Sequence, residues 1–262
     1  FAWWSFRPAH PLIDLRLFGN RNFTVAALTM FLFGGAFFGG LLLVPTYLQQ
    51  VRGEDTLHAG LLLAPQGLGA MVTMPIAGYL ADKYPVGRIV PFGIAIITGG
   101  MFALTQISDD TSYWGYLIPV LFVMGLGMGM TMMPLMTSAL KTLTAHQVAR
   151  GSTTLNIVQQ VASSFGVSVI SVLLVNAFNA RPLIGQAQAF GEESAKAADP
   201  SATGELLARF PEVAKVLAGI TDPGRATEVL MAAVRSDMAA AFASTYWAAG
   251  GLCLLTLVVS LF

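Results

Sequence analysis

Seven uncharged polar residues lie close together in one stretch, spaced so that a helix would gather them on one side. Ser152, Asn156, Gln160, Ser163 and Ser164, continued by Ser168 and Ser171, follow a single helical face. Amides and hydroxyls bind ligands through hydrogen bonds and do not titrate near neutral pH, so the chemistry on offer is recognition, not proton transfer. Their neighbours in sequence are apolar. In hydrocarbon such a stripe must meet either adjoining helices or a watery cavity, since lipid leaves its donors and acceptors unsatisfied. Two further patterns accompany it. Phe31, Gly35, Phe38, Leu42, Pro45 and Gln49 recur at alternating steps of four and three, and Met124, Met128, Met130, Met132, Met133 and Met136 crowd one segment. Thioethers and aromatic faces adapt to lipophilic bodies and hold cations, and they serve equally as plain apolar lining.

Catalytic constellations are missing. The sequence contains no Gly-rich phosphate loop ahead of a Lys-Ser/Thr pair, no HExxH, and no Ser/His/Asp set that periodicity would assemble. His10, His58 and His146 are too scattered for metal ligation, and Cys253, the single cysteine, permits no internal disulfide. Neither an enzyme nor a cofactor or metal is expected. A formal net charge of zero removes nucleic acid as an electrostatic partner.

The elements that must position these residues are membrane helices. Apolar residues make up 55% of the chain and charged ones 11%, against about 25% charged in soluble domains. Six stretches of roughly 20 residues or more, 23–48, 59–81, 89–107, 114–140, 153–178 and 238–262, carry no charge in their central turns. The expected fold is an all-α, six-span integral membrane bundle. Residues 23–178 hold spans one to five, 179–237 form a long outer loop with amphipathic helices, and 238–262 form span six. Arg7, Arg16, Arg21, Lys83, Arg88, Lys141 and Arg150 fall in one set of short loops and only Arg52 in the other. By the positive-inside rule both ends of the segment are cytoplasmic. Gly35-xxx-Gly39 and Gly125-xxx-Gly129 predict close helix contacts, and Pro45, Pro65, Pro75 and Pro134 predict kinks. In the outer loop Leu206, Phe210, Val213 and Leu217 follow a helical period that Pro211 bends or splits into two pieces. Asp222-Pro223 reads as a helix start that runs on into the last span.

Several segments together resemble the 14-span drug:proton antiporters of the major facilitator superfamily, the EmrB/QacA type. They are PLIDLRLFGNRNF, VPTYLQQVRGEDTLHAGLLLAPQGLG, PIAGYLADKYPVGR and ARGSTTLNIVQQVASSFGVSVI. The resemblance covers residue 8 to about 178 well and 238–262 loosely. It implies that these spans form the C-terminal six-helix half, with FAWWSF at residues 1–6 ending a linker helix and 1–22 leading into span one. It further implies that spans one, two, four and five border the central cavity while three and six lie outside. The superfamily's cytoplasmic loop motif, G-x-L-A-D-R/K-x-G-R, is matched at Gly78, Leu80, Ala81, Asp82 and Lys83, with Gly87 and Arg88 following two residues late. There the aspartate gates the inner side, with Arg88 as the partner available to Asp82. The proton-coupling carboxylates of such antiporters belong to the other half.

The resulting expectation is proton-coupled efflux of drugs or other lipophilic or cationic small molecules across the bacterial cytoplasmic (inner) membrane. The cavity would be lined by Phe31, Phe38, Gln49, Met128, Met132, Asn156 and Gln160, and protons would be handled by the N-terminal half. Export of an endogenous lipid, siderophore or peptide, or a non-transporting scaffold or receptor acting through the outer loop, are the alternatives.

Overall fold

The computed structural model describes residue 19 and residues 21–84, 86–141, 145–196, 203–220 and 222–261; among these there is helix and no strand. Expectations for residues 1–18, the linker-helix end included, lie outside the described residues. The helices are α1 (Arg21–Gln50), α2 (Thr56–Leu62), α3 (Ala64–Lys83), α4 (Val86–Ala103), α5 (Ile118–Lys141), α6 (Ala145–Asn179), α7 (Pro182–Lys196), α8 (Thr203–Arg209), α9 (Pro211–Leu217) and α10 (Pro223–Ser260). Six stretches are long and apolar enough to cross a bilayer: Phe23–Gln50, Thr56–Ala81, Gly87–Gln106, Tyr113–Leu140, Val148–Asn179 and Pro223–Ser260. The chain is an all-α membrane bundle with six candidate spans.

Local chemistry explains where these helices begin and break. Asp55 caps α2 by accepting the His58 amide at 2.6 Å. Leu63 then separates α2 from α3, and Pro65 falls in the first turn of α3, where its missing N–H is no loss. The kink expected at Pro65 is therefore a break before it. Pro45, Pro75 and Pro134 are inside α1, α3 and α5, which remain continuous. Tyr113–Leu117 opens the fourth span as one wide π turn, capped by Ser112 Oγ on the Gly115 amide at 3.2 Å. Asp222 caps α10 through the Gly224 amide at 3.2 Å, and the helix runs unbroken for 38 residues, from the expected start at Pro223 into the last span.

Packing follows from small residues. α1 and α5 occupy the centre; α6 packs chiefly on α1 and α3 on α5, while α4 and α10 pack against each other behind them. Where α1 crosses α6, a β-carbon on Gly39 would lie 2.8 Å from the Gly166 carbonyl oxygen, and one on Gly166 would overlap the backbone of Gly35. Where α3 crosses α5, a β-carbon on Gly125 would overlap the Gln66 carbonyl, and one on Gly129 would lie 2.8 Å from that of Ala70. Both predicted glycine pairs thus allow backbones to touch. Phe33, Phe37, Tyr47, Ile94, Met101 and Phe242 fill the buried centre shared by α1, α4 and α10. Buried threonines bond to the carbonyl one turn back, as Thr131 does to Gly127 at 2.8 Å and Thr245 to Ala241 at 2.9 Å, which hides their hydroxyls from hydrocarbon.

Candidate functional site

The helices at the two flanks, α3 and α6, leave a large part of their surface unpacked. In the most apolar window of the fifth span only 22% is buried, against 67% in the first span. α6 turns Leu155, Ala162, Gly166 and Ile170 inward and carries the polar stripe outward. Asn156, Gln160, Ser164 and Ser168 are exposed, Ser152, Ser163 and Ser171 half-buried. Ile157, Val161 and Phe165 are exposed beside them. The stripe therefore does not glue helices within this bundle. Instead it belongs to a surface on which amides and hydroxyls alternate with apolar side chains.

Neighbouring helices extend that surface. Of the predicted α1 stripe, Leu42 and Gln49 are exposed, Phe31, Phe38 and Pro45 half-buried, and Gly35 is buried against α6. Phe31 stacks on Phe165 of α6, with ring centroids 6.1 Å apart and planes 30° apart. Phe38 sets its edge against Phe37 at 5.5 Å. The methionines of α5 divide by direction. Met124 is buried against Gly100 of α4; Met130, by Gly93, is half-buried, as are Met128, Met132 and Met136, and Met133 is exposed. Across the α5–α6 gap Gln159 Nε2 donates to the Met132 thioether at 3.9 Å. The structure thus joins Phe31 to α6 and Met132 to α6. Gln49 stands apart, at the α1 terminus next to the loops of Arg52 and Asp109.

Sequence reasoning missed Gln159 and Phe165. Gln159 sits about 20° round the helix from Ser152 and about 40° from Ser163, at the edge of the stripe, and only the position of α5 gives it a partner.

At the opposite end of the bundle α3 closes at Lys83, Tyr84 is extended (φ −123°, ψ 153°), and α4 begins at Val86. Only residues 84 and 85 separate the helices, so Gly87 and Arg88 are in the first turn of α4 and not in a lengthened loop. A β-carbon on Gly78 or Gly87 would meet nothing within 4 Å. Lys83 and Arg88 are exposed; the Asp82 side chain lies outside the described residues.

Comparison with known proteins adds to this geometry. Residues 5–167 match the Major Facilitator Superfamily. The chain belongs to that superfamily. A multidrug resistance protein B homolog of Mycobacterium tuberculosis is 44% identical over 185 residues, covering 70% of this chain and 34% of that protein. The multidrug export protein EmrB of Escherichia coli is 30% identical over 173 residues, covering 66% and 34%. The lincomycin resistance protein LmrB of Listeria monocytogenes is 29% identical over 174 residues, covering 66% and 37%. This facilitator chain spans about a third of the length of these curated relatives.

Proposed function

We propose that this chain is the C-terminal, cavity-lining half of an exporter that moves drugs or other lipophilic compounds out through the bacterial inner membrane, driven by protons. One observation carries the reading: a membrane helix, α6, keeps Asn156, Gln160, Ser164 and Ser168 on its unpacked face. Such residues are costly against lipid and useful against a solute. The half-buried Phe31, Phe38, Met128 and Met132 and the donor Gln159 supply soft, adaptable walls, and Gln49 stands at the outer mouth. With Lys83 and Arg88 in the cytoplasm, both ends of the segment are cytoplasmic. A second half packed against α3 and α6 would close the cavity, and rocking of the halves would open it to each side in turn.

The central turns of 23–48, 59–81, 89–107, 114–140, 153–178 and 238–262 carry no Asp, Glu, Lys or Arg, so proton coupling is assigned to the other half. Gly78, Asp82, Lys83, Gly87 and Arg88 are assigned to gating at the cytoplasmic end.

In full-length protein reconstituted in vesicles, Asn156→Leu with Gln160→Leu should lower efflux of a lipophilic cation about tenfold, the loss of one or two hydrogen bonds. Dependence on an imposed pH gradient should survive mutation of every carboxylate in this chain. If Asp82→Asn abolished proton coupling and spared substrate binding, the division of labour would be wrong. Deleting residues 183–220 should leave substantial efflux; a scaffold or receptor acting through the loop would show no efflux before the deletion and lose its own function with it.

A further inference from the structure

Beyond the residues already assigned to the cavity, α3 buries one more amide at membrane depth. Gln66 is 6% exposed, and ten residues of helix, about 15 Å, separate it from Thr56, where span two begins. It opens the inward row of α3, followed by Ala70, Thr73 and Ala77 at steps of four, three and four, while Gly67, Leu68, Met71 and Val72 beside the row are exposed. Thr73 fixes the direction of that row, since its hydroxyl donates to the Leu126 carbonyl of α5 at 2.9 Å. The Gln66 side chain therefore leaves α3 towards α5 and the interior, not towards lipid.

Thr73 is satisfied there and Gln66 is not. Its carboxamide has no hydrogen-bond partner among the described residues. Nor is it sealed off: among those residues the unpartnered side-chain atom that is fully enclosed is the Tyr246 hydroxyl, so the Gln66 amide reaches the accessible surface at its tip. An amide left unpaired in hydrocarbon is costly, and this one faces an opening that admits water or a solute.

The walls of that opening continue on α5. Gly125 presents no side chain, and a β-carbon on it would overlap the Gln66 carbonyl. Gly125, Met128 and Met132 fall within about 60° on one face of α5, so the half-buried thioethers lead from Gln66 to the contact of Met132 with Gln159. Seven residues of helix, about 10 Å, cover that distance. A lipophilic body of this length lying on Met128 reaches Gln66 at one end and the edge of the α6 stripe at the other.

Residues 23–48, 59–81, 114–140 and 153–178 contain no Asp or Glu, so a cation held among them is met by neutral acceptors and soft faces. An amide oxygen accepts most strongly from an N–H that carries part of a positive charge, and a cation lacking N–H and O–H gains nothing from it. We infer that Gln66 is a specificity-determining residue of the cavity, its Oε1 accepting a hydrogen bond from an N–H of the bound lipophilic cation. The inference rests on the exporter reading above and adds the chemical feature by which substrates are sorted.

The test is equilibrium binding to full-length protein in nanodiscs. One probe is ethidium, whose ring amino groups donate; the other is tetraphenylphosphonium, which has no N–H or O–H. Gln66→Met keeps the length of the side chain and removes the amide. It should raise the ethidium Kd about tenfold, the loss of one charge-assisted hydrogen bond, and leave that of tetraphenylphosphonium within about twofold. Gln66→Asn, shorter but still an amide, should fall between the parent and Gln66→Met for ethidium. In the parent protein diazidoethidium, with azides in place of both amino groups, should photolabel residues 62–70, and excess ethidium should remove that label. Equal weakening of both cations marks a residue that merely ties α3 to another part of the protein and overturns the inference. So does an unchanged ethidium Kd, or absence of label at 62–70. Those outcomes leave the exporter reading standing; it fails instead if the parent binds neither cation, and the inference falls with it.

Discussion

Gly125 lies within α5 and Gly78 in the last turns of α3, and a methyl group would fare oppositely at each. At Gly125 it would run into the Gln66 carbonyl and within 3.1 Å of the Ala70 amide, both backbone atoms that cannot step aside. Gly125→Ala should therefore cost about 1–3 kcal/mol, the usual penalty of overpacking. Gly78→Ala meets open space and should stay within about 0.5 kcal/mol of the parent. Thermal unfolding of the purified protein followed by size-exclusion chromatography distinguishes them, and equal midpoints would refute the close α3–α5 crossing. The Gly-xxx-Gly spacing was readable in sequence because small residues one turn apart make a groove whatever lies opposite. What lies opposite was not: nothing in the order of residues pairs Gly39 with Gly166, or Gln159 with Met132, since those contacts join helices whose rotation is set by packing.

Helix ends show how far element boundaries follow from single residues. Asp222-Pro223 announced α10, and Pro211 split 203–217 into α8 and α9, because a cap and a missing N–H act locally. The break of span two at Leu63 and the helix α7 were less visible. Pro65 fits a kink or a start equally well, and Pro182–Lys196 carries its acidic residues only near one end. Asp55 permits a sharper test of an end. The hydrogen bond from the His58 amide, then that from the His58 ring at 3.1 Å, holds its carboxyl below the ordinary aspartate range. A depressed carboxylate stabilises the fold above its unfolded pKa and loses that contribution as pH falls through the folded value. Melting temperature should therefore fall on acidification less in Asp55→Asn than in the parent, since the amide still caps but does not titrate. An identical acid profile in both would show that this cap adds no pH dependence.

On the scale of the whole molecule, two surfaces of the bundle must meet different surroundings if the exporter reading holds. The back, where α4 and α10 pack together, shows Phe92, Trp247, Leu254 and Val258 outward and suits lipid. The unpacked face of α6 shows Gln160 and Ser164 beside Val161 and Phe165 and suits a wet, lipophilic-tolerant cavity. Charge-free stretches made the spans legible, and the polar stripe made one face of α6 legible. That the stripe leaves the bundle, when it had the option of tying helices together, required the position of α1 against Ala162 and Gly166. Thiol chemistry tests the contrast directly, because Cys253 is the only native cysteine in this chain and is fully buried. Thiolate forms readily only where water reaches the sulfur, so a membrane-impermeant methanethiosulfonate should modify Gln160→Cys and Ser164→Cys at least about tenfold faster than Leu254→Cys and Val258→Cys. A lipophilic substrate added to full-length protein should slow the first pair and leave the second unchanged. Equal rates at all four positions would mean that the face of α6 looks into lipid or into another helix, and that the cavity lies elsewhere.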